Sequence, residues 1–214
     1  MPTVKEFAVL SALNGCSTEG LRKLDDQIVE ILLAAVNTAT ETNLVRCDDI
    51  SLLRVAGNST IPLLQPAARE SLKRVIEQKN KPLKLIHAYR TIAQQFVLRQ
   101  WKINGKCRIT AARNPGTSDH ERAIAIDIDS DQLDTFKQAL ENNHWHWAGD
   151  NDPGHFSFVG NGVSPKVIVE GVRSFQILWN RNHPEDPIDE DGIFGDTQTG
   201  ARLLRSPVEG FEIV

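Results

Sequence analysis

The run Ala123-Ile124-Ala125-Ile126-Asp127-Ile128-Asp129 constrains this chain more than any other segment, because its strict alternation has the period of a β-strand. Successive side chains on a strand point to opposite faces. Ile124, Ile126 and Ile128 are therefore expected in a core, while Asp127 shares the other face with Ala123 and Ala125. Small neighbours leave open space around the carboxylate, as the floor of a site requires. His155-Phe156-Ser157-Phe158 repeats the device, with both Phe on one face and His155 beside Ser157 on the other. Two such strands predict a sheet with a core face and a site face.

The elements around them read at helical spacing. Leu21, Leu24, Ile28, Ile31, Leu32 and Val36 predict a helix over 18–42 behind a Ser17-Thr18 start. Residues 63–78 predict a second helix, with Pro66 in its first turn, and 83–88 a short strand. A helix over 91–104 follows, stopped by Gly105, then a strand over 108–112 and a helix over 130–142. Trp145–Trp147 reads as an aromatic strand. The Gly160-Asn161-Gly162-Val163-Ser164-Pro165 cluster marks a linker, which divides the chain into a main unit over 1–163 and a small helical unit over 164–214. In the small unit, 197–204 is expected to be a helix capped by Asp196.

Composition narrows the classes. A formal charge of −4 with no Lys/Arg-rich run removes the electrostatic footprint of a nucleic-acid binder. The longest apolar stretch, 28–36, is interrupted by Glu30 and is too short to span a bilayer, so no membrane insertion is expected. The first fifteen residues lack a basic segment leading into a long apolar one, so no ordinary signal peptide is expected and the localisation stays unassigned. Cys16, Cys47 and Cys107 are widely spaced and read as buried thiols, with a Cys47–Cys107 bridge as the alternative.

His120, Asp127 and His155 suit one zinc ion. A catalytic zinc takes three N/O ligands and keeps a position open for water, whose proton it makes easier to lose. Asp152, three residues before His155, is then a spare carboxylate for general base and acid work. His144 and His146 form a rival pair, but no third ligand is naturally spaced with them, and the strand reads as a groove wall. Isolated His87 and His183 read as structural. No nucleophile and base pair for a metal-free enzyme is visible.

These residues resemble the zinc D-Ala-D-Ala peptidases. Residues 116–128, Gly-Thr-Ser-Asp-His-Glu-Arg-Ala-Ile-Ala-Ile-Asp-Ile, look like the family pattern G-x-S-x-H-x-x-G-x-A-x-D-I. Asn151-Asp152-Pro153-Gly154-His155-Phe156 looks like its second metal block. Ala88-Tyr89-Arg90-Thr91 with Gln95 resembles its Y-R-[ST] segment, and Trp145–Trp147 its aromatic strand. The resemblance covers about residues 65–160. It implies His120, Asp127 and His155 as zinc ligands, Asp152 as the catalytic carboxylate and Arg90 as the group that stabilises the oxyanion. It also puts Ser118, Gln95, Tyr89 and Trp147 on the substrate. The implied fold is α+β, hedgehog/DD-peptidase-like, a small antiparallel sheet with flanking helices. The implied substrate is peptidoglycan or a muropeptide, cut as by a carboxypeptidase; an endopeptidase and a non-catalytic wall-binding protein are the alternatives. One departure is Ala123 in place of the family's glycine, expected to point toward the site.

The tail carries a second resemblance. Val172–Trp179, with its Phe175-Gln176, followed by Asp191-Gly192-Ile193-Phe194-Gly195-Asp196-Thr197, is similar to the peptidoglycan-binding repeat. It implies wall binding, against the plainer reading of a C-terminal extension packed on the main unit.

Overall fold

The computed structural model describes residues 1–38, 43–109 and 111–212. Helix α1 (Val4–Leu13) opens on a Thr3/Glu6 capping box. A short 3-10 turn leads into α2 (Arg22–Thr38); the last residues of the helix expected over 18–42 lie outside the described residues. Strands β1 (Val45–Arg46), β2 (Leu53–Val55) and β3 (Leu63–Leu64) precede α3 (Pro66–Lys79), which starts on Pro66 and ends on left-handed Asn80. Strand β4 (Leu83–His87) and α4 (Ile92–Ile103) follow, the helix capped by the Thr91 hydroxyl. Then come β5 (Ala125–Ile128), α5 (Leu133–Asn142), β6 (Trp145–Trp147), β7 (His155–Phe158), α6 (Lys166–Asn182) and α7 (Ala201–Arg205).

The fold is α+β. Its main sheet has the order β2-β4-β5-β7-β6, and β1 and β3 form a separate antiparallel pair. The sheet is mixed rather than antiparallel throughout, since β2 runs parallel to β4. The reason is the connection: helix α3 lies between those strands, and a helical crossover returns the chain in the same direction.

One face of the sheet is dry. Ile126, Ile128, Phe156, Phe158 and Trp145 pack there with Leu72, Val75 and Ile76 of α3 and Phe136 and Leu140 of α5. A second core joins α1, α2 and α4 to the C-terminal helices through Leu24, Ile28, Phe96, Trp101, Phe175, Trp179 and Leu203. The 164–214 segment thus shares its core with the N-terminal helices. No helix among the described residues is long and apolar enough to cross a membrane.

Three other expectations change. Cys16 and Cys107 form a disulfide, while Cys47 is a buried free thiol. The partners are 91 residues apart and meet because α1 packs on α4, a contact that cysteine spacing does not encode. The segment expected as a strand over 108–112 has no strand among its described residues; Thr110 lies outside them. The last helix is not capped by Asp196. It opens on a π turn, Asp196–Gly200, whose cap is Gly195 with no side-chain bond.

Candidate metal centre

The second face of the sheet carries the site. β5 and β7 are antiparallel neighbours with Asp127 directly opposite His155 and Ala125 opposite Ser157. Register alone therefore places two of the expected ligands side by side, with small residues beside them. The third ligand comes from a turn: Arg90 N–H donates to the His120 carbonyl, and the Ala123 N–H donates to the same oxygen. The buried Glu121 carboxylate accepts from the Gly116 and Ser118 N–H groups and braces this turn. Burial pushes Glu121 up to about 7, against the opposing pull of those backbone donors.

His120 Nε2, His155 Nδ1 and Asp127 Oδ1 form a triangle with sides of 3.1, 3.2 and 2.9 Å. Bonds of ~2.0–2.1 Å in tetrahedral geometry put ligand atoms roughly 3.3 Å apart, so the triangle fits a small divalent ion such as zinc. The outer hydrogen bonds fix which nitrogens face inward. His120 Nδ1 lies 2.7 Å from the Ala88 carbonyl, which can only accept, so the proton sits on Nδ1 and the Nε2 lone pair faces the triangle. Ser157 Oγ donates to Asp119 at 3.0 Å and is thereby left to accept from His155 Nε2 at 3.2 Å. The His155 Nδ1 lone pair then also faces inward. Three acceptor atoms converge without a proton between them, an arrangement that a cation satisfies.

The electrostatics divide the two imidazoles: His155 is raised, burial being outweighed by the hydrogen bond and charge of Asp127, a pull toward the protonated form that a bound cation would have to displace. Burial, then the nearby Arg90, pushes His120 down to about 4, which keeps it neutral as a ligand must be. Burial works to raise the Asp127 carboxyl but is outweighed by His120, His155 and His87, which hold it well below the ordinary range. The second Asp127 oxygen is engaged from outside the triangle by His87 Nδ1 at 3.1 Å and Arg90 Nη2 at 3.3 Å.

A cleft of about 600 Å³ opens over the triangle. Asp152 lines it, half-buried, and its carboxylate has no hydrogen-bond partner among the described residues. Burial and then the Asp127 charge raise Asp152, with His155 and Arg90 opposing. Arg90 lines the cleft too, with Nη1 donating to Gln95 Oε1 at 3.1 Å. Gln95 in turn donates to the Arg113 carbonyl and so ties Arg90 to the cleft wall. Ser118 reaches the cleft, but its hydroxyl accepts from the His120 N–H, which makes it a brace of the ligand turn.

Two expected substrate residues lie elsewhere. Tyr89 is 2% exposed and packs in the core with Leu32, Val36 and Val167, because the strand–turn that exposes Arg90 turns its neighbour inward. Trp147 is not part of the cleft lining; Lys137 covers its ring and its indole N–H donates to the Pro153 carbonyl, steadying the loop before His155. His144 and His146 are both exposed, outside the metal-capable group. Ala123 precedes β5 rather than sharing its site face. It is fully buried with a φ of 55°, the left-handed region in which glycine is at ease.

The sequence reading missed His87, Asp119, Ser157 and Glu121 as parts of the centre. His87 was hidden by a bulge: Leu85 pairs with Ile128 but His87 pairs with Asp127, so one extra residue reverses the parity of β4. By simple alternation His87 belongs on the Leu83/Leu85 core face. Ser157 was seen only as a small neighbour, although a hydroxyl two residues along a strand from a ligand His stands on the same face. Comparison with protein-family models and with curated proteins returns no match for this chain, so the reading rests on its own residues.

Proposed function

We propose that this protein is a zinc-dependent peptidase that hydrolyses D-amino-acid-containing peptide bonds of bacterial peptidoglycan, in the manner of the D-Ala-D-Ala carboxypeptidases and with their hedgehog/DD-peptidase type of fold. The observation that carries the metal half of the reading is the convergence of two imidazole nitrogens and one carboxylate oxygen at 2.9–3.2 Å beneath an open cleft. The peptidoglycan half rests on the resemblance of the four sequence blocks.

His120, Asp127 and His155 hold the ion, and a zinc there supplies Lewis-acid activation of water and of a peptide carbonyl. Asp152 takes a proton from the attacking water and returns it to the leaving nitrogen. Its raised pKa moves it toward the working range of such a group. Arg90, fixed between Gln95 and Asp127, donates to the carbonyl oxygen as negative charge builds on it. A structural zinc is normally closed by four protein ligands. Here three converge and the free carboxylate of Asp152 stands beside them.

The test is mass spectrometry of products after the zinc-loaded chain meets purified peptidoglycan and a free stem pentapeptide, beside Asp152→Ala. Loss of terminal D-Ala alone identifies a carboxypeptidase, and released muropeptide fragments an endopeptidase. If wild type and variant leave every peptide intact with zinc bound stoichiometrically, the protein is a binding protein and the catalytic reading falls.

A further inference from the structure

Asp127 sits between two histidines that the sheet register sets directly opposite it, His155 of β7 on one side and His87 of β4 on the other. Side chains paired across strands in this way lie close enough to touch, and the two imidazoles divide the carboxylate between them. His155 Nδ1 meets Oδ1 at 2.9 Å, within the triangle, and His87 Nδ1 meets Oδ2 at 3.1 Å, outside it. The pairing of His87 depends on the bulge after Leu85. His87 is not among the residues whose ligand atoms converge, so the geometry gives it a place behind a ligand rather than on the ion. A carboxylate oxygen only accepts, so His87 Nδ1 carries the proton of this hydrogen bond whatever the charge of the ring. Arg90 Nη2 reaches the same oxygen at 3.3 Å, but Arg90 is also tied to Gln95 and lines the cleft. In the proposed reaction its guanidinium serves the substrate carbonyl, which leaves His87 as the standing partner of Oδ2.

We propose that His87 is a positioning residue that holds Asp127 to one-oxygen ligation of the metal and so keeps the place of the attacking water open. This deepens the peptidase reading and rests on its metal half. A catalytic zinc with three protein ligands needs a free position for water. A carboxylate can bind a cation through one oxygen or both, and a second oxygen turned to the ion would compete with that water. Turning Oδ2 inward breaks the hydrogen bond from His87, a charge-assisted one, so the donor opposes the turn. The register makes the restraint firm, because His87 and Asp127 stand on paired strands rather than on a loop.

The experiment uses the full chain with His87→Leu, which removes the donor, and His87→Asn, whose amide N–H can stand where Nδ1 does. The side chain of His87 is 33% exposed, so neither change opens a core cavity. His87→Ala is run beside them, so that a misfolded leucine variant does not decide the result. Each protein is loaded with cobalt(II), whose visible absorption weakens as its coordination number rises, and separately with zinc for cleavage of a stem pentapeptide. The leucine and alanine variants are expected to lose cobalt band intensity and to lose about 10–100-fold in kcat with KM little changed; the asparagine variant is expected to recover both. A cobalt band that is the same in wild type and the donor-less variants, or an asparagine variant that behaves like leucine, overturns the positioning role. Intact pentapeptide in the wild type, with a cobalt band that weakens in leucine and returns in asparagine, overturns the peptidase reading and leaves the positioning role standing. A wild type that binds neither metal overturns both.

Discussion

The side chain of Ser157 meets the candidate ligand His155 through one imidazole nitrogen, and so bears on which of its two nitrogens carries the proton. Its hydroxyl hydrogen goes to Asp119, so its lone pair takes the His155 Nε2 proton. In Ser157→Ala the ring loses that outer acceptor and can present the wrong tautomer. Zinc affinity is expected to fall about 10–100-fold, with recovery in Ser157→Thr, as measured by competition with a chromogenic chelator. An unchanged affinity in Ser157→Ala would mean that packing alone orients the ring. Ala123 makes the opposite case. It occupies a left-handed conformation that costs an alanine about 1 kcal/mol or more. Ala123→Gly relieves that cost but empties a buried methyl site and loosens the unfolded chain. The net expectation is a gain of about 0.5 kcal/mol, read as a higher urea midpoint at unchanged m; a loss of more than about 1 kcal/mol would show that the methyl is needed for packing. Single residues were legible where period-two alternation held, as for Asp127 and His155. They were illegible where the backbone broke the period, at the bulge before His87 and the turn at Ala123.

At the level of elements, the tail motif becomes a hydrogen-bonded lock. Buried Gln176 on α6 accepts from the Gly192 N–H at 2.8 Å and donates to Asp191 Oδ1 at 2.9 Å, so the Phe-Gln and Asp-Gly halves of the motif hold each other. Gly192 has a φ of 72°, and a Cβ there would lie 2.4 Å from Val169 Cγ1 and 2.6 Å from the Val169 carbonyl oxygen. Gly192→Ala is therefore expected to destabilise the protein by about 2–4 kcal/mol. Because the C-terminal helices share a core with α1, α2 and α4, this loss should appear in one unfolding transition rather than two. Two transitions, with the early one alone shifted, would show that the tail unfolds by itself. The individual helices were readable from their apolar spacing and caps. The parallel β2–β4 pair was not, because β2 is three residues long and its partner is fixed by the α3 crossover rather than by any local pattern.

The molecule as a whole is held by two devices remote from the candidate metal centre. The Cys16–Cys107 disulfide closes a span of 91 residues and ties the end of α1 to the loop that leads into the cleft wall. Closing so long a loop removes unfolded-state entropy worth about 4 kcal/mol. Reduction by a dithiol, or Cys16→Ala, should lower the melting temperature by roughly 8–16 °C at this chain length, and an unchanged melting point would show that the bridge does not form in solution. The second device is Asp25 on α2, 1% exposed, which accepts from Thr91 Oγ1 at 2.5 Å and Gln94 Nε2 at 2.8 Å at the start of α4. Burial raises its carboxyl to about 7, more than those two donors lower it. A carboxyl whose folded pKa lies above the unfolded one binds an extra proton in the folded state. Its stabilising contribution is complete below the ordinary value of 3.8 and is lost as pH rises through about 7. Wild type should therefore lose stability between pH 5 and pH 8.5 relative to Asp25→Asn, by about 1–3 kcal/mol. Taking the difference between the two proteins at each pH cancels Glu121 and the metal ligands, which titrate alike in both. Denaturant unfolding across that range checks it: a wild-type-minus-variant difference that stays flat, or that rises with pH, would mean that Asp25 is ionised in the folded protein and that α2 is joined to α4 through a charge.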